Sequence, residues 1–76
     1  MDHEKNLSTA RCGELLRITA IPDDSPASAR LRTMGFCESE EVCKVADHGI
    51  CLCMLMGRKV AIGRDLAAGV QVERVA

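Results

Sequence analysis

Two of the five cysteines stand one residue apart, at Cys51 and Cys53, and His48 precedes the first of them by three positions. Alternate residues of an extended strand share a face, so both thiols point the same way with Cα atoms about 6.6 Å apart. Two thiolates on a tetrahedral zinc ion hold their sulfurs just under about 4 Å apart, which converging side chains reach. No second close pair completes such a set, because Cys12, Cys37 and Cys43 are scattered. Cys51, Cys53 and His48 are therefore the candidate ligands for a divalent transition metal, Zn or Fe. The plainer reading makes each cysteine a small core hydrophobe. Ferrous iron favours imidazole and carboxylate ligands; Glu38, Glu40 and Glu41 crowd together but read as a solvated turn. The spacing also lies at the outer limit for a disulfide. For catalysis, a nucleophilic thiol needs a base beside it, and His48 sits across a turn from Cys51. The sequence predicts no enzyme and no catalytic residue.

Composition narrows the functional class further. Seventy-six residues make one small domain and exclude a two-lobed enzyme. Ten basic residues against eleven acidic ones give a net charge of −1, without the basic excess that phosphate backbones demand. Phe36 is the lone aromatic residue, so there is no platform for stacking bases. Nucleic acid is thus not the expected partner. The longest apolar stretch, Ile50 to Met56, has seven residues, against roughly 20 needed to span a bilayer. No signal-peptide core precedes it. The expectation is a cytoplasmic protein with reduced thiols and no membrane insertion. A core of this size yields only roughly 3–5 kcal/mol, so support from a partner or from homo-oligomer formation is expected.

Residues 1–8 read as a flexible lead-in with one apolar anchor, Leu7, ahead of a single domain over 9–76. A strand runs from Gly13 to Ile21, with Leu16, Ile18 and Ala20 alternating against Leu15, Arg17 and Thr19. Ser25-Pro26 starts a helix: the hydroxyl caps an orphan amide and proline at the first helical position loses no hydrogen bond. The helix extends to Met34, sets Ala27, Leu31 and Met34 on one face, and stops at Gly35. Fewer than three turns are not stable alone, so it must lie on the sheet. Strands at Glu41–Ala46, Ile50–Met56 and Lys59–Ile62 follow, joined by Asp47-His48-Gly49 and Gly57-Arg58. One helical turn over Asp65–Ala68 precedes a last strand, Val70–Val75. Five short strands with one early helix predict a mainly β fold, a small closed or half-closed SH3-like barrel, since closure suits so short a chain by removing exposed edges. An OB-fold competes less well because its helix falls later.

Strand Ile50–Met56 breaks the rule of one wet face. Ile50, Leu52, Met54 and Met56 occupy one side, and Cys51, Cys53 and Leu55 the other. So short a chain fills only one interior. The outward set must be covered by the helix, a second copy or a partner. Phase alone leaves both sets open, with Leu52, Met54 and Met56 preferred as interface residues. Arg30 and Arg32 on the polar side of the helix are further candidates for an acidic partner surface, against the simpler reading of solvated charges.

The runs GELLRITAI, RLRTMGF, EEV and GRKVAIGRDLAAGVQVE, in this order and spacing over about residues 7–76, resemble the FeoA family. Arg30, Leu31, Met34, Gly35, Gly57 and Ala67 are the positions matching its pattern. The resemblance implies an SH3-like fold and transition-metal biology. It implies a non-enzymatic cytosolic regulator that docks on a FeoB-type ferrous-iron membrane transporter, whose cytosolic part is a GTPase. The alternative is a small metal- or thiol-redox-responsive protein using its cysteines. Related domains close metal-dependent repressors, but this sequence has no winged-helix region. It departs from the family at Glu38-Ser39, where Pro-Gly is common, at Lys44, where an apolar residue is usual, and in its wealth of cysteine.

Overall fold

The computed structural model describes residues 5–22 and 25–75. Its elements are β1 (Lys5–Asn6), β2 (Leu15–Ala20), α1 (Pro26–Met34), β3 (Glu41–Asp47), β4 (Ile50–Leu55), β5 (Arg58–Gly63), α2 (Arg64–Ala68) and β6 (Gln71–Arg74). All strands are antiparallel, in the order β1-β6-β2-β3-β4-β5. The sheet curls around one core, giving the SH3-like architecture that the strand pattern and the early helix predict. Leu16, Ile18, Leu31, Phe36, Val42, Leu55, Val70 and Val72 fill that core.

Local chemistry explains the helix boundaries. Ser25 is extended, and its hydroxyl accepts the Ser28 amide at 3.1 Å while the Ser28 hydroxyl accepts the Ser25 amide at 3.4 Å. This reciprocal capping box starts α1, with Pro26 in its first turn. Gly35 ends it at φ 107°, and the Phe36 amide reaches back to the Leu31 carbonyl at 3.0 Å. A Cβ at Gly35 would lie 2.9 Å from the Met56 methyl. Gly35→Ala therefore carries a left-handed penalty of about 1–2 kcal/mol, with an approach to Met56 that the flexible, exposed side chain relieves by turning aside. A thermal melt should show a loss of roughly 4–8 °C for each of those kcal/mol.

Two sequence expectations are corrected. The expected lead-in over 1–8 does not hold from residue 5 onward: Lys5 pairs with Val72 and Asn6 with Gln71, and Leu7 is fully buried. The Leu7 amide donates to the Val70 carbonyl at 2.9 Å. An apolar anchor and an open edge on β6 together recruit the segment, while residues 1–4 lie outside the described residues. The buried face of α1 is also rotated. Leu31 is buried with Ser28, whereas Ala27 and Met34 are half-buried. Ser28 tolerates burial because its hydroxyl also donates to the Ser25 carbonyl at 2.9 Å.

Candidate functional site

Alternation along β4 turns Cys51, Cys53 and Leu55 into the core, all fully buried. The two sulfurs lie 3.5 Å apart. Burial, and next the hydrogen bond with Cys51, push the Cys53 thiol far above its ordinary range. It stays protonated at neutral pH, and a protonated thiol is a poor ligand and a poor nucleophile. His48 stands exposed in the β3–β4 turn, away from the buried pair. Among the described residues, no three of His, Cys, Asp and Glu gather where a metal ion would sit. The structure thus brings Cys51 and Cys53 together but leaves His48 apart.

The thiol has a measurable consequence. From about pH 9.0 the unfolded chain ionises Cys53 while the folded chain keeps its proton. The unfolded state then binds fewer protons, so stability falls as pH rises, by at most about 1.4 kcal/mol per pH unit. Melting temperatures between pH 8 and 11 should decline for the wild type, and more gently for Cys53→Ala.

Lys44 shares the inward face of β3 with Val42 and is 1% exposed. All three of its ammonium protons are used. Nζ donates to the Ser8 carbonyl at 3.0 Å, the Ala10 carbonyl at 2.8 Å and Asp47 Oδ2 at 3.0 Å. Asp47 Oδ1 also accepts from Arg64. Hydrogen bonding from Lys44 is the main cause that holds the Asp47 carboxyl below its usual range. The ammonium therefore latches the N-terminal segment to β3.

The outward face of the sheet is different in kind. Cross-strand register sets Leu15, Cys43, Met54 and Lys59 in one row, and places Leu52 between Ala46 and Ala61. Leu15, Ile50 and Met56 are 47%, 51% and 55% exposed. A bulge between Lys44 and Ala46 leaves Val45 exposed as well. Consecutive left-handed residues, Met56 at φ 52° and Gly57 at φ 78°, make the tight β4–β5 turn that lifts Met56 to the surface. An open groove of about 520 Å³ follows, with Leu15, Cys43, Met54, Met56, Glu40 and Glu41 in its lining.

The helix arginines separate. Arg32 forms two hydrogen bonds of 3.3 Å with Glu38, which ties the end of α1 to the following turn. The Glu38 carboxyl is held below its usual range by its own backbone amide first and Arg32 second. Arg30 is exposed beside a small groove with Ala29, Thr33 and Met34. Of the interface candidates, Leu52 and Met54 share the outward face of β4, Met56 lies beyond the strand in the β4–β5 turn, Arg30 forms no ion pair among the described residues, and Arg32 is bonded to Glu38. Leu15, Cys43, Glu40 and Glu41 were not among them.

A family model, the FeoA domain, matches residues 5–74. The chain belongs to the FeoA family. A crystal structure of an iron uptake regulatory protein, FeoA, superposes with a TM-score of 0.89 at 23% identity, covering 97% of this chain and 100% of that one. A FeoA-like protein from Clostridium acetobutylicum gives 0.89 at 15% identity, over 100% and 92% of the two chains. A manganese-dependent transcriptional repressor in complex with manganese gives 0.88 at 18% identity, over 99% of this chain and 38% of the repressor. These likenesses share the fold. No curated protein matches the sequence. Among the FeoA-pattern positions, Leu31 and Ala67 are buried, and Gly35 and Gly57 occupy left-handed backbone. Met34 is half-buried and Arg30 exposed. Among the described residues no helix is long and apolar enough to cross a membrane.

Proposed function

We propose that the protein is a non-enzymatic cytoplasmic accessory of ferrous-iron transport that docks on the cytosolic GTPase part of a FeoB-type membrane transporter. Membership of the FeoA family implies involvement in ferrous-iron transport. The observation that carries the docking reading is the outward face of β3 and β4, where Val45 and Ile50 are exposed and stand outside the core cluster. Uncovered apolar side chains gathered on one face are what a partner surface buries. Docking regulates transport only if the chain binds two transporter conformations with different affinity. A chain that carries no metal itself is sufficient for that mechanism. The second reading, a metal- or thiol-responsive protein, draws less support, since its closest thiol pair is sealed in the core.

Co-purification tests the proposal. The tagged chain should recover the transporter from cells that express it and recover the same background as an untagged control from cells that lack it. Equal recovery from both would overturn it. Titrating free thiols with and without zinc or ferrous iron addresses the second reading, which requires metal to protect at least two thiols.

A further inference from the structure

The groove on the outward face carries two kinds of lining. One is soft and apolar, with Leu15, Cys43 and Met54 in one cross-strand row and Met56 beside them. The charged side chains that line it are acidic: Glu40 and Glu41. Glu40 has no ion-pair partner among the described residues. Glu41 shares Arg17, at 3.6 Å, with Glu73 at 3.8 Å, so two carboxylates draw on one guanidinium. Lys59 ends the same row but stands outside the groove.

Size decides between a second copy and a segment of another chain. Four strands at about 4.8 Å spacing and about six residues of length make a face of roughly 20 by 20 Å, or about 400 Å². A stable protein pair buries about 800 Å² on each side. A flat pairing of two such faces falls well short. A groove of about 520 Å³ lies within the roughly 300–1,000 Å³ range of sites that enclose small groups. Methionine linings adapt to varied apolar side chains.

Resting on the reading that this protein acts by docking, we propose that this groove receives an extended segment of the partner in which an apolar side chain neighbours a lysine or arginine. The apolar group enters between Met54 and Met56, and the cation meets Glu40 and Glu41. The helix arginines take no part.

The probe is a blocked peptide of alternating lysine and leucine, titrated into the isotope-labelled chain at low salt and followed by amide NMR. Controls replace its lysines by glutamates, or its leucines by serines. Amide signals of Leu15, Cys43, Met54 and Gly57 should move with the lysine–leucine peptide and with neither control. Glu40→Lys should weaken binding at least about threefold, as the loss of one exposed charge pair allows, and raised salt should do the same. Met54→Gln, a mild change on a half-buried site, should weaken binding while leaving the remaining spectrum in place. Equal binding of the glutamate peptide, or shifts confined to α1, would overturn the proposal. So would movement of the same signals on concentrating the chain alone, which would make a second copy the occupant. If wild type and Met54→Gln recover the transporter equally, docking stands and this groove falls. If the peptide binds as described but no transporter is recovered, the groove stands and the docking partner falls.

Discussion

Lys44→Ala is expected to abolish the cooperative thermal transition near physiological temperature. The substitution leaves the carbonyls of Ser8 and Ala10 without a donor and Asp47 without its principal cation. Asp47 keeps Arg64 as a partner, so the loss falls on the two carbonyls, at about 1–3 kcal/mol for each one left unpaired, comparable with what a core of this size supplies. Lys44→Met keeps most of the packed stem and should lose less. Circular dichroism melts of the three chains give the order, and hydrogen exchange should show residues 5–10 opening first. A Lys44→Ala chain within about 1 kcal/mol of wild type, the range of an exposed ion pair, would show that the latch contributes little.

Leu52→Glu and Met54→Glu should each leave the melt close to wild type while reducing transporter recovery by at least about tenfold. Both side chains are half-buried on the outward face, where a carboxylate stays hydrated in the free chain and is stripped of water only in a complex. Leu55→Glu is the contrasting case, since Leu55 is fully buried and an ionised carboxylate there should prevent folding. Recovery unchanged in both outward variants would remove this face from the docking surface. Unfolding of both would make Leu52 and Met54 core residues.

The helix was readable because its stops are local. Ser25-Pro26 and Gly35 fix both ends within ten residues, and the observed element is Pro26–Met34 as the spacing predicts. Strand positions were readable for the same reason. The phase of β4 was not, because both of its faces are apolar and only the surrounding strands choose which set enters the core. Lys44 carried a readable hint, since it shares parity with Val42, which is buried, and stands where the FeoA pattern usually has an apolar residue. Its carbonyl partners lie 34 and 36 residues away. The groove was illegible altogether. Leu15 meets Cys43 and Cys43 meets Met54 through long-range register, and no local pattern encodes that meeting. Leu7 was legible as an apolar anchor, but the strand pairing of Lys5 and Asn6 escaped the reading of residues 1–8 as a lead-in because their partner β6 lies at the far end of the sequence.

The place of β6 between β1 and β2 bears on how the chain is made. Synthesis proceeds from the N-terminus, so β1 and β2 emerge long before the strand that separates them. Until Gln71–Arg74 clears the ribosome, Leu16 and Ile18 sit beside an unfilled slot in the sheet, and Leu7 has no Val70 carbonyl to bind. Contacts this distant in sequence form slowly. Every nascent copy therefore passes through an interval in which β2 lacks its β6 neighbour.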